Sequence, residues 1–223
     1  MYRLTKVMCI LAISLAITAC AFTYPKLDAY EEELSADVYL VPIGLVAPEY
    51  LISLADYYEN TFGIKMGVTE QLTHIKSLVN IDRQHIESDG LIRQMKYQFW
   101  NYSFNEDAIY IGITHADLHI ADKPKDFIFT HRVGGNFAVI SNNRVEDKSE
   151  WNFIDIEEVK PNFRKLVSKT IGLMHFNEPL NSNPRSVLYD NIRSLRDLEY
   201  VNEKTIYSDI LGQKVVKKSL AVF

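Results

Sequence analysis

The chain has 223 residues, 47% of them hydrophobic, which is enough for a full core and unlike a disordered polymer. A net charge of −5 without basic clusters argues against nucleic acid as the main partner. The only cysteines are Cys9 and Cys20, so the folded part has no disulfide framework or cysteine metal centre.

The chain opens with a basic n-region, Met1 to Lys6, and an apolar h-region from Val7 to Ile17 that is short for a bilayer span. It ends in Ile17-Thr18-Ala19-Cys20, which resembles the bacterial lipobox, where cleavage before the cysteine leaves it as the lipidated first residue. Residues 1–19 are therefore expected to be a lipoprotein signal peptide, with Cys20 as the lipidation site, palmitate included. The expected location is the cell envelope, anchored to a membrane outside the cytoplasm. The plainer alternative is an ordinary secretory signal cleaved nearby. Loss of Arg3 and Lys6 with the signal leaves 22 basic against 29 acidic residues, a net charge of −7. Residues 20–35 are polar, carry Pro25 and the acidic run Glu31–Glu33, and read as a tether. The domain proper is expected over 36–223.

Asp37 to Gly44 is a short apolar run and predicts a buried strand. Pro48 then opens a helix in which Leu51, Leu54, Ala55, Tyr58 and Phe62 form one stripe, with Gly63 as C-cap. Ile64 to Val68 predicts a second strand, giving a βαβ start. Residues 69–87 are polar, with a short helix suggested around Gln71–Leu78. Ser88 is placed to cap a helix reaching about Trp100, with Leu91, Ile92, Met95 and Phe99 inward. Ala108 to Ile113 reads as a central strand covered on both faces. Phe127–Arg132 and Asn136–Ser141 flank Val133-Gly134-Gly135 and predict a hairpin or two strands with a Gly-rich connection. Residues 142–154 read as a loop. Pro161 starts a helix to about Met174, Asn177–Arg185 is a loop, and a last helix is expected over Asp190–Glu203. The fold class is α/β: a mixed, mostly parallel twisted sheet with a βαβ start, an antiparallel edge strand and covering helices. No P-loop, dinucleotide fingerprint, G-x-S-x-G or cysteine nucleophile is present.

Taken in order, Val38 to Gly44, Ile109 to Thr114 with Asp117-Leu118, Phe127 to Phe129 with Gly134-Gly135 and Ala138 to Ser141, and Ile171 to Phe176 resemble segments of the archaemetzincins, a metzincin subfamily of zinc peptidases. The metzincin pattern is H-E-x-x-H-x-x-G-x-x-H followed by a Met-turn. Anchored on Gly172 and His175, the resemblance sets Lys165 and Lys169 in the first two histidine positions and Leu166 in the glutamate position. Leu188, in Ser186-Val187-Leu188, falls in the Met-turn position. The family's cysteine cluster for a second zinc is also missing, with Phe176 and Ser186 near two of its positions. Zinc is the cofactor the resemblance implies, but most of its ligands are absent. An ammonium has no lone pair for a metal, and Leu166 takes no proton from water.

The resemblance therefore implies a metzincin-like pseudoenzyme, a membrane-anchored, peptidase-like protein that binds a polypeptide or cell-envelope ligand without cutting it. The peptide would lie along an edge strand near Phe127, Phe129 and His131. One alternative is a divergent zinc-dependent metallopeptidase with relocated ligands, and another is a purely structural envelope lipoprotein. On the helix itself, Phe163, Leu166, Val167, Thr170, Ile171 and Met174 share a core face. Lys165, Lys169 and Gly172 point elsewhere, which predicts a solvated lysine face, or, in the sharper reading, an anion site for a peptide C-terminus or acidic side chain. His175 alone reads as a hydrogen-bonded structural histidine. His115, Asp117, His119 and His131 are an alternative metal set near the sheet edge, although loop histidines more commonly bind nothing.

Overall fold

A computed structural model describes residues 36–73, 76–80, 85–99, 107–121, 123, 127–145 and 161–203, all of them within one unit, Leu34–Phe223. The expected signal peptide, Cys20 and the tether lie outside the described residues.

Strand β1 (Val38–Ile43) has six consecutive buried residues, as an unbroken apolar run requires. Helix α1 (Pro48–Phe62) begins on its proline and stops at Gly63, whose left-handed φ of 64° lets its N–H reach the Glu59 carbonyl. Strand β2 (Met66–Val68) returns parallel to β1 and completes the βαβ unit. A 3₁₀ turn, Lys76–Leu78, occupies part of the stretch where a short helix was expected. Beyond it come β3 (Val79–Asn80), β4 (His85–Glu87) and helix α2 (Ser88–Phe99), which buries Leu91, Ile92, Met95 and Phe99. Ser88 does not serve as the expected cap. Its hydroxyl donates to the His119 carbonyl at 2.8 Å and ties the helix start to a neighbouring strand.

Strands β5 (Ile109–Thr114) and β6 (Asp117–His119) follow, then the antiparallel pair β7 (Thr130–Val133) and β8 (Phe137–Ser141). Helix α3 (Pro161–Met174) and the short helix α4 (Leu195–Tyr200) close the described chain. The last helix is shorter than the expected Asp190–Glu203 because Ser194 and Asp197 form a capping box that starts it late.

The main sheet runs β2-β1-β5-β8-β7, parallel except for β7, which is its antiparallel end strand. A smaller sheet, β3-β4-β6, was not foreseen. Alternate residues of the main strands feed two cores. Val38, Leu40, Ile109, Ile111, Ile113 and Ile140 join α1 and α3 on one face. Tyr39, Val41, Ile43, Tyr110 and Val139 join α2 on the other. Gly112 lies on this second side, where a Cβ would fall 2.7 Å from both Ile43 Cδ1 and Met95 Sδ. A methyl group there would force the Ile43 and Met95 side chains to shift.

Candidate binding cleft

Helix α3 is the site's organiser. Phe163, Leu166, Val167 and Ile171 are essentially inaccessible in the first core. At roughly 1.5–3 kcal/mol for each fully buried side chain, they hold the helix firmly to the sheet. The Tyr58 hydroxyl of α1 donates to the Arg164 carbonyl at 2.9 Å and shares a 2.7 Å bond with Ser168 Oγ. That buried polar link fixes how α3 sits beside α1.

The opposite side of α3 is not the solvated lysine face that helical periodicity predicts. Lys165 and Lys169 are half-buried beneath the C-terminal segment. Lys165 Nζ donates to the Leu198 carbonyl at 2.7 Å and to Asn162 Oδ1 at 3.2 Å, and Lys169 Nζ donates to the Tyr189 carbonyl. Burial lowers the pKa of Lys165, with the charges of Glu203 and Glu199 opposing and that of Arg164 assisting. Burial takes Lys169 down to about 8, with Asp190 opposing and Arg132 assisting. Gly172 is buried, and a Cβ there would meet Leu188 Cδ2 at 2.9 Å. Leu188 itself is buried with Val187 and Val201. The glycine therefore serves close approach rather than a turn, because α3 continues past it to Met174. The chain turns at Asn177, whose φ is 53°, and the Glu178 N–H caps the Gly172 carbonyl. His175 is half-buried, with its ring edge-to-face on Phe176 at 4.6 Å.

Between α3 and the end of the sheet lies a cleft of about 340 Å³, lined by Phe127, Ile128, Phe129, Thr130, Leu166, Lys169, Ile192 and Arg193. It unites three parts picked out in the sequence: the edge-strand region, the leucine in the glutamate position and the lysine in the second histidine position. Ile192 and Arg193 were not foreseen, since nothing in their local pattern marks them. The edge strand proper is shorter than expected. Ile128 bridges to Leu118 of the smaller sheet, Phe127 and Phe129 pack edge-to-face at 5.3 Å, and main-sheet pairing begins at Thr130. His131 lies in the end strand β7, with its side chain turned to α2, where it pairs with Asp89 at 3.0 Å.

The alternative metal set does not assemble. His115 Nδ1 bonds Asn142 Oδ1 at 2.7 Å and His131 is held by Asp89. Asp117 receives Arg144 at 2.7 and 3.0 Å and has His85 Nε2 at 3.5 Å. Burial pushes the Asp117 carboxyl up, but hydrogen bonds from Arg144 and Asn143 and the charges of Arg144 and His85 outweigh it, so it sits below its ordinary value. Arg144 also stacks on the Phe127 ring at 3.7 Å. Among the described residues no group of three or more His, Cys, Asp or Glu side chains is arranged to hold a metal ion.

No family model matches the chain, and no curated protein matches it. Solved structures do. The fold is similar to the archaemetzincin of Methanopyrus kandleri, with a TM-score of 0.59 at 15% identity over 82% of this chain and 96% of that one. It is similar to the archaemetzincin of Archaeoglobus fulgidus complexed with malonate, with a TM-score of 0.55 at 19% identity over 74% of this chain and 91% of that one. It is also similar to a zinc-dependent peptidase from Methanocorpusculum labreanum, with a TM-score of 0.57 at 15% identity over 74% of this chain and 93% of that one. The domain thus has the mixed α/β fold of archaemetzincins.

A zinc ion does not fit the residues that the resemblance sets in the motif. Lys165 and Lys169 turn their Nζ groups to the Leu198 and Tyr189 carbonyls, and an ammonium has no lone pair to give a metal. With a pKa of about 8, Lys169 is mostly cationic at neutral pH. Leu166 is a buried hydrocarbon and His175 a single imidazole.

Proposed function

We propose that this chain is a non-catalytic relative of the peptidases whose fold it shares, held at a membrane through a lipid on Cys20. Its cleft binds a polypeptide or cell-envelope ligand and does not cut it. The observation that carries this reading is the use of the two lysines. Their ammonium groups clasp the Leu198 and Tyr189 carbonyls, so both motif positions serve as cationic ties between α3 and the C-terminal segment. Beside Lys169, the buried Leu166 borders the cleft and, as a hydrocarbon, has no means of activating water.

The test is metal analysis and peptide hydrolysis on the full chain in detergent, beside a Lys165→His/Leu166→Glu/Lys169→His variant. Wild type should retain no stoichiometric zinc after dialysis and release no new peptide termini, while the variant gains zinc affinity. Chelator-sensitive cleavage by wild type would sink the non-catalytic reading. A variant with no gain would sink the placement of Lys165–His175 on the zinc motif.

A further inference from the structure

The cleft has a polarity that the binding reading leaves open. Phe129 accepts from the Ser141 N–H at 2.8 Å, so Phe129 O points toward β8. Antiparallel pairing alternates, and His131 and Val133, opposite Val139 and Phe137, point their backbone groups the same way. The N–H and C=O of Thr130 and Arg132 therefore point to the outer side of β7. On that side β6 reaches only as far as Ile128, through its bridge to Leu118, and among the described residues no strand pairs with Thr130–Val133 there. Thr130 lines the cleft, and the charge of Arg132 reaches Lys169. The free edge and the cleft thus adjoin on the α3 side of the sheet.

Charge gives the direction. The cleft lining contains two cations, Lys169 and Arg193, and no carboxylate. Lys169 gives one N–H to Tyr189, leaving two donors. The nearby acids are Asp190, which is exposed, and Asp197, which is committed to the backbone of Arg193 and Ser194 in its capping box. The remaining walls are Phe127, Ile128, Phe129, Leu166 and Ile192. Four residues of β7 give an incoming strand only two outward-facing partners, too short a track to hold a long chain by main-chain bonds alone.

Resting on the binding reading above, we propose that the ligand is the carboxy-terminal end of an extended peptide. Its main chain pairs with Thr130 and Arg132, an apolar side chain enters between Phe127 and Ile192, and its terminal carboxylate is taken by Lys169 and Arg193. Charge-assisted bonds to a carboxylate in a partly desolvated cleft supply the selectivity that so short a strand cannot.

The probe is a labelled peptide of alternating threonine and valine ending in leucine, measured by fluorescence anisotropy against the full chain in detergent. It is made as the free acid, as the C-terminal amide, and as the amide with an internal glutamate. The free acid should bind about tenfold or more tighter than either amide. Arg193→Glu, at an exposed position that leaves the core untouched, should weaken the free acid severalfold and the amide much less. Lys169→Met should remove most of the acid–amide difference. Equal binding of acid and amide overturns the carboxylate inference and leaves the non-catalytic reading standing. Equal binding of the glutamate peptide overturns the terminal assignment, and failure of the free acid to bind at millimolar concentration overturns the inference outright. Zinc-dependent cleavage of the peptide would instead overturn the reading on which it rests.

Discussion

Lys169→Met tests whether the lysine tie is as desolvated as its surroundings imply. Folding takes the ammonium from its ordinary 10.5 to about 8, chiefly through burial. Below about 8 both states hold the proton, and the folded state bears the whole desolvation penalty. Between about 8 and 10.5 the folded state has released the proton while the unfolded state keeps it, so stability rises with pH across that window. The full shift corresponds to about 3 kcal/mol. The side chain keeps some solvent contact, and screening brings this nearer 1–2 kcal/mol. Replacing lysine by methionine removes the penalty but strips the Tyr189 carbonyl of its donor, at about 1 kcal/mol. Near pH 7 the two proteins should therefore differ by no more than about 1 kcal/mol. As pH climbs, wild type should gain on the variant by about 1–2 kcal/mol. Urea denaturation followed by circular dichroism, stepped across the window, measures that difference. Tyr57 and Tyr110, both held above 10 first by burial, titrate in both proteins and cancel. A flat difference from pH 7 to pH 10.5 would refute a desolvated Lys169.

Gly112→Ala should cost about 1–3 kcal/mol in the same assay, because its methyl group meets Ile43, Met95 and Val139 at once. A neutral result would show that α2 packs less tightly on the sheet than described. Asp117→Asn should destabilise by about 2 kcal/mol near neutrality, through loss of the charge-assisted fork to Arg144. The gap from wild type should close as pH falls through the depressed carboxylate pKa, since protonated Asp117 also gives up the charge. A gap that persists in acid would place the loss in packing. Cys20→Ala should abolish palmitate labelling and release the protein from membranes, as judged by fractionation; retained label would remove the proposed anchor.

The long apolar runs were readable because they must be buried on both faces. Val38–Ile43 and Ile109–Thr114 match β1 and β5 closely, as the stripe from Leu51 to Phe62 matches α1. Strands β3, β4 and β6 were not seen, since two or three residues such as His85-Ile86-Glu87 carry no period to detect. Helix α3 was placed correctly, with its core face as expected. Its other face was misjudged because periodicity reports which side of a helix is polar, not whether another segment covers it. The cover comes from residues around Tyr189 and Leu198, with no regular pattern of their own. The same blindness hid Ile192 and Arg193, which become part of the cleft only once that segment folds back.

The two lysine ties span 33 and 20 residues, whereas β1 must find β5 across a much longer stretch of chain. The segment from Ser186 to Val201 is thus fastened to α3 by a small apolar cluster and two ammonium groups, and reaches the sheet core through Leu198, with Ile192 packed against it. Such an appendage opens as a unit at lower free energy than the whole domain. Its amides should exchange with solvent sooner than those of β5, and, once the intrinsic base catalysis of exchange is divided out, its opening should grow rarer from about pH 8 to 10.5, because the open state keeps the Lys169 proton that the closed state has released. Because Ile192 and Arg193 belong to this segment, each opening also swings back one wall of the cleft.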